Sequence, residues 1–160
     1  MEIERFKRIA IRVGLPLQFI VKDAKMLAVL SVLANKFKHP LVGGTAINRV
    51  YLKKMGRFSE GLDFEVYGKK DISLPRIEGF ELEGPYVYKR NVRFEYLYET
   101  ELGKDRIRVD VNLKPKAKIR TTYQNVELFS GTIANVKTFS LEVLIARKIL
   151  AMQRRTEGKD

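Results

Sequence analysis

Along residues 21–37 the apolar side chains Met26, Leu27, Leu30, Leu33 and Phe37 recur at intervals of three and four. That period puts them on one face of a helix, and Asp23 stands where an N-cap is expected. A shorter helix fits ahead of it. Pro40-Leu41-Val42 then reads as a brief buried strand running into Gly43-Gly44-Thr45 and a second helix over Ala46–Lys54. Beyond the break at Gly56 the period changes. Leu62, Phe64 and Val66 alternate with Gly61, Asp63 and Glu65, which predicts a strand with one apolar and one acidic face. Phe80–Leu82 is a weak strand. Val92–Thr100 and Arg106–Leu113 alternate again on either side of Leu102-Gly103-Lys104, so they are expected to pair as an antiparallel hairpin. In the second of these, Ile107, Val109, Val111 and Leu113 take the core side and leave Arg108, Asp110 and Asn112 on the other. Weaker strands follow near Val126–Phe129 and Thr132–Val136, and a last helix runs from Ser140 to near Arg155.

No repeat, low-complexity tract or linker divides the chain, and 160 residues at 45% hydrophobic suffice for one core, so a single domain over 1–160 is expected. The absence of cysteine excludes disulfides and thiolate chemistry, and the single histidine, His39, cannot build a His-rich metal site. Any metal must be held by oxygen. No apolar run is long enough to span a bilayer, and the charged start MEIERFKR lacks the features of a secretory signal, so the expectation is a cytoplasmic protein without a membrane partner. Lys and Arg outnumber Asp and Glu by 31 to 19, and the resulting +12 attracts phosphates of nucleotides, RNA or DNA, or an anionic membrane surface. A thermophile surface rich in Lys, Arg and Glu accounts for the same surplus. Charge alone does not choose between them.

Four elements carry candidate chemistry. Gly43-Gly44-Thr45 lies between a strand and a helix, where glycines admit close approach of a polyphosphate, unpaired N–H groups face it and the Thr45 hydroxyl adds a donor. Read alone, the glycine pair is more often merely a tight strand-to-helix turn. Asp63 and Asp110 each stand on the polar face of a strand whose other face is apolar. If the strands are neighbours, two carboxylates converge in the outline of a Mg²⁺ site, and if not, both are solvated surface acids. Finally, Leu141, Leu144, Ile145, Ile149 and Met152 form a helical stripe with Lys148 in its middle. That lysine either snorkels to the surface or projects a fixed cation toward a triphosphate.

The stretch LVGGTAINRVYLKKMGRFSEGLDFEVYG resembles the first motif of AbiEii-type nucleotidyltransferase toxins: GGT, a helix containing Asn and Tyr, then R-x-S-E-D-[IL]-D-F. Gly43, Gly44, Thr45, Asn48, Tyr51, Arg57, Ser59, Glu60, Leu62, Asp63 and Phe64 fit it. IRVDVN is similar to the strand bearing the family's third acid, here Asp110. SLEVLIARKILAMQRRTEGKD is similar to its K-x-x-A-[LM] helix, with Lys148, Ala151, Met152 and Arg155 in register and Lys159-Asp160 at the start of the final R-D-L-Y-D motif. The resemblance implies an α+β domain of the polymerase-β-like nucleotidyltransferase fold, its mixed and mainly antiparallel sheet packed by helices. It implies Mg²⁺-dependent transfer of a nucleotide from an NTP to an acceptor such as tRNA or another RNA, and an antitoxin protein as partner. The roles carried over are nucleotide binding for Gly43, Gly44, Thr45, Ser59 and Lys148, metal binding for Asp63 and Asp110, and catalysis through Asp63, Asp110 and Lys148.

Two departures stand out. Gly61 occupies the place of the family's first metal acid, and the sequence stops at Asp160, where relatives are expected to continue into further helices, so it is either a piece of a longer protein or a minimal or decayed member. Loss of support around a metal typically costs about 10–100-fold, and loss of a ligand is expected to cost at least that much. Glu65 on the same face, or Glu60 beside it, is a candidate substitute. The alternative to an active transferase is a catalytically inactive protein that binds nucleotide or RNA. The basic loop Lys114–Arg120 is then either an RNA contact or a solvated charge run.

Overall fold

The computed structural model describes residues 2–52, 61–127 and 133–156. The chain starts with two helices, α1 (Glu2–Val13) and α2 (Leu17–Lys36), and then forms β1 (Leu41–Val42). A single turn of α-helix, α3 (Gly43–Ala46), continues into a π-helical segment, Ile47–Leu52. Next come β2 (Gly61–Tyr67), β3 (Glu81–Tyr88), β4 (Asn91–Thr100), β5 (Gly103–Lys114), β6 (Thr122–Glu127), β7 (Ile133–Thr138) and α4 (Leu141–Thr156). The seven strands make one sheet in the order β3-β4-β5-β2-β1-β7-β6. Among the described residues, β2 with β5 and β1 with β7 pair in parallel, and the other neighbours are antiparallel. The sheet is therefore mixed and mainly antiparallel, as the resemblance implies.

Alternation along the strands separates the two faces. Leu62, Phe64 and Val66 of β2, Val92, Phe94 and Tyr96 of β4, and Ile107, Val109 and Val111 of β5 are buried against Met26, Val29, Leu30 and Leu33 of α2. α1 packs on the outer side of α2 through Phe6, Ile9, Ile20 and Val21, a smaller second cluster. The opposite face of the sheet keeps the polar partners of those strands. Among the described residues, no helix is long and apolar enough to cross a membrane.

Three local expectations are corrected. α2 begins at Leu17 after Pro16, not at Asp23. Asp23 lies inside the helix, 1% exposed, and accepts a 2.6 Å hydrogen bond from the Arg49 guanidinium. An aspartate with a buried cationic partner is tolerated within a helix, and that partner is invisible to a local capping rule. The second helix starts at Gly43 rather than Ala46, and its π-helical continuation turns Asn48, Arg49 and Val50 inward. On α4 the predicted apolar stripe is largely in the open: Leu144 is buried, whereas Ile145, Ile149 and Met152 are about half exposed (43%, 52% and 56%).

Candidate functional site

β2 positions the first acid. Its alternation places Gly61, Asp63, Glu65 and Tyr67 on the polar face, and its parallel partner β5 sets Asp63 directly beside Asp110 and Glu65 beside Asn112. The two candidate carboxylates are thus neighbours on adjacent strands. Burial, together with the Asp110 charge, pushes the Asp63 carboxyl up to about 6, and Arg93 opposes the shift. Asp110 has its own counter-ion, since Arg93 Nε on β4 donates to Asp110 Oδ1 at 2.8 Å.

β1 hands the chain to the glycine pair at the end of the same site. Gly43 has φ +74°, a left-handed conformation that a side chain resists. A β-carbon there would lie 2.8 Å from Asp63 Oδ2. The missing side chain therefore keeps the space in front of the carboxylate open. Thr45 is buried, and its hydroxyl donates to the Gly61 carbonyl at 2.6 Å, tying the first helical turn to the start of β2. With that proton engaged, the remaining donor of Thr45 toward a ligand is its main-chain N–H.

α4 closes the cleft from the other side. A cavity of about 380 Å³ is lined by Gly43, Gly44, Asp63, Lys148 and their neighbours, so three segments separate in sequence meet in one place. Lys148 is exposed in this cleft, in the company of Lys114, Arg147 and Arg154. Asp110 is not part of the lining and stands next to it through Asp63. Ser59, like Arg57, Glu60, Lys159 and Asp160, lies outside the described residues.

Glu65 is already occupied. It is buried, its Oε1 lies 3.1 Å from Arg147 Nε and accepts a 3.0 Å hydrogen bond from the Tyr67 hydroxyl, and Arg147 also donates to Tyr67 at 3.0 Å. Burial and the Glu65 charge together push the Tyr67 phenol up to about 12, so it stays a donor to Glu65. This clasp fastens α4 to β2 and uses the carboxylate that sequence reasoning offered as a substitute metal ligand. Gly61, for its part, has no room for a side chain: a β-carbon would lie 2.8 Å from the Arg108 carbonyl oxygen of β5.

Mg²⁺ takes oxygen donors, commonly one or two carboxylates with water and substrate phosphates completing the set. The donors here suit one such ion. Asp63 faces the open space that Gly43 keeps clear, Asp110 stands beside it in register, and a cation there would offset the Asp110 charge that adds to burial in raising Asp63. Among the described residues no group of three or more His, Cys, Asp or Glu forms a fuller metal cage.

Arg93, Arg147 and Asn112 were not singled out from the sequence. Arg147 adjoins Lys148 in the matched motif, and Asn112 follows Asp110 on the same strand face.

The seven-stranded mixed sheet, its helices and this cleft define an α+β domain of nucleotidyltransferase-like fold. The chain is similar to the crystal structure of JHP933 from Helicobacter pylori, with a TM-score of 0.53 and 19% identity over 82% of this chain and 56% of that one. It thus spans little more than half the length of that protein. Residues 26–160 match the model of the nucleotidyl transferase AbiEii toxin of type IV toxin–antitoxin systems, and the chain belongs to that family. Among curated proteins none matches.

Proposed function

We propose that this protein is a toxin nucleotidyltransferase that moves a nucleotide from an NTP to an acceptor such as tRNA, with Mg²⁺ as cofactor and an antitoxin protein as its neutralising partner. One observation carries the reading: Gly43, Gly44, Asp63 and Lys148 line a single cleft, and Asp110 stands beside Asp63 in the parallel register of β2 and β5. The main-chain N–H groups of Gly44 and Thr45, in the first helical turn, are suited to the phosphates. Lys148, with Arg147 and Arg154 nearby, neutralises the polyphosphate and steadies the pyrophosphate as it leaves. Ser59 is a further phosphate contact on the motif alone. Asp63 and Asp110 would hold Mg²⁺, which when bound offsets phosphate charge and lowers the acceptor hydroxyl's pKa. In the transfer the acceptor oxygen attacks the α-phosphorus, the bond to the β-phosphate oxygen breaks, pyrophosphate departs and the hydroxyl proton passes to solvent or a neighbouring carboxylate.

A second reading, a protein that binds nucleotide or RNA without chemistry, is favoured by the tight contact at Gly61 and by the commitment of Glu65 to Arg147. Incorporation of label from α-labelled NTPs into an RNA pool separates the two. The transferase reading expects Mg²⁺-dependent labelling that falls at least about 100-fold in Asp110→Ala. Nucleotide binding with no labelling in the unaltered protein supports the second reading instead.

A further inference from the structure

Arg93 and Asp110 stand directly opposite each other in the antiparallel pairing of β4 and β5, and Asp110 is in turn the register partner of Asp63 on β2. One guanidinium and two carboxylates therefore form a row across three neighbouring strands. The ion pair between Arg93 and Asp110 is short, 2.8 Å, and only partly exposed, at 32% and 18%. Its cation sits where it repels any other cation approaching the same carboxylate. In this same position Arg93 also lies against Tyr88. Its guanidinium carbon lies 5.9 Å from the ring centroid of Tyr88 on β3, and that ring is exposed. An arginine gains a favourable contact over such a face.

We propose that Arg93 is a built-in counter-ion that competes with the divalent cation for Asp110, so that the metal enters only as the guanidinium gives up its hydrogen bond to that carboxylate. The inference rests on reading Asp63 and Asp110 as metal ligands. It makes Arg93 a positioning residue that sets metal affinity, and it explains how two adjacent carboxylates coexist in the free protein.

The test is Mn²⁺ binding to the nucleotide-free protein, followed by electron paramagnetic resonance at pH 8, where Asp63 is ionised. Arg93→Gln is expected to bind Mn²⁺ on the order of tenfold more tightly, while Arg93→Lys, which keeps the charge, stays near the unaltered protein. Arg93→Met gives the same reading should the glutamine variant not fold. Unchanged or weaker binding in Arg93→Gln, or equal tightening in Arg93→Lys, overturns the proposal. Asp110→Asn distinguishes the levels. If it abolishes Mn²⁺ binding while Arg93→Gln changes nothing, only the role of Arg93 falls. If it leaves Mn²⁺ binding unchanged, the metal-ligand reading fails and takes this inference with it.

Discussion

Gly61 and Arg108 meet so closely across β2 and β5 that a β-carbon on residue 61 would lie 2.8 Å from the Arg108 carbonyl oxygen. The obstacle is main chain, which cannot rotate aside. Where AbiEii relatives are expected to carry a metal acid, this protein has a strand pairing that leaves no space for any side chain. Gly61→Ala and Gly61→Asp should therefore both lose stability, by about 1–3 kcal/mol, in urea denaturation. A Gly61→Asp protein as stable as the unaltered one contradicts this.

Gly43 faces the same kind of restriction from a different neighbour. In Gly43→Ala the methyl group meets the Asp63 carboxylate, and the residue must hold φ +74°. Left-handed backbone costs a non-glycine residue about 1 kcal/mol or more. Thermal unfolding should show a loss of about 1–3 kcal/mol, accompanied by weaker nucleotide binding.

Asp63 links stability to pH. The folded protein holds this proton up to about pH 6, whereas an ordinary aspartate releases it near 3.8. Between those values the folded state binds more protons than the unfolded chain, so the contribution of Asp63 to stability falls as pH rises through the window and stays low above it. Asp63→Asn removes the penalty. Relative to the unaltered protein it should gain up to about 3 kcal/mol above pH 7, with the advantage fading toward pH 4. Parallel urea titrations at the two pH values check the slope, and a gain that grows on acidification would reverse the assigned sign.

Asp23 and Arg49 form the most deeply buried ion pair described, with side-chain exposures of 1% and 2%. Burial lowers the Arg49 pKa and the Asp23 charge opposes that shift. Removing the carboxylate takes its 2.6 Å hydrogen-bond partner from a buried guanidinium. Asp23→Ala should cost about 3–5 kcal/mol, measured by chemical denaturation, and the pair anchors α2 to the helical segment that follows the glycines.

How much of this was legible in the sequence depended on whether the signal was local. The alternation of β2 and β5 exposed both acids, since a period of two assigns faces without knowledge of neighbours. That β2 lies beside β5 in parallel register, joining Asp63 to Asp110, is a property of the whole sheet, and the sequence raised it only as an open condition. Arg93 was readable and missed. A hairpin closed by Thr100 opposite Gly103 sets Arg93 opposite Asp110, because antiparallel partners recede equally from the turn. Asp23 misled because the residue type that caps helices is the same one that answers a buried arginine. The α4 stripe misled differently. Its period was right, but the side turned toward the sheet is set by Leu144 and by the Arg147 clasp on Glu65 and Tyr67, which leaves Ile145, Ile149 and Met152 outside.

Gly43, Asp63 and Lys148 are proposed to act together on one polyphosphate in the presence of a divalent ion. Calorimetric titration of each NTP into the protein, with Mg²⁺ and with EDTA, addresses it most directly. At least one NTP should bind more tightly with Mg²⁺, with binding weakened about tenfold or more in Lys148→Ala and stripped of its Mg²⁺ dependence in Asp63→Asn. Binding of equal strength in all three proteins, or no NTP binding at all, would contradict it.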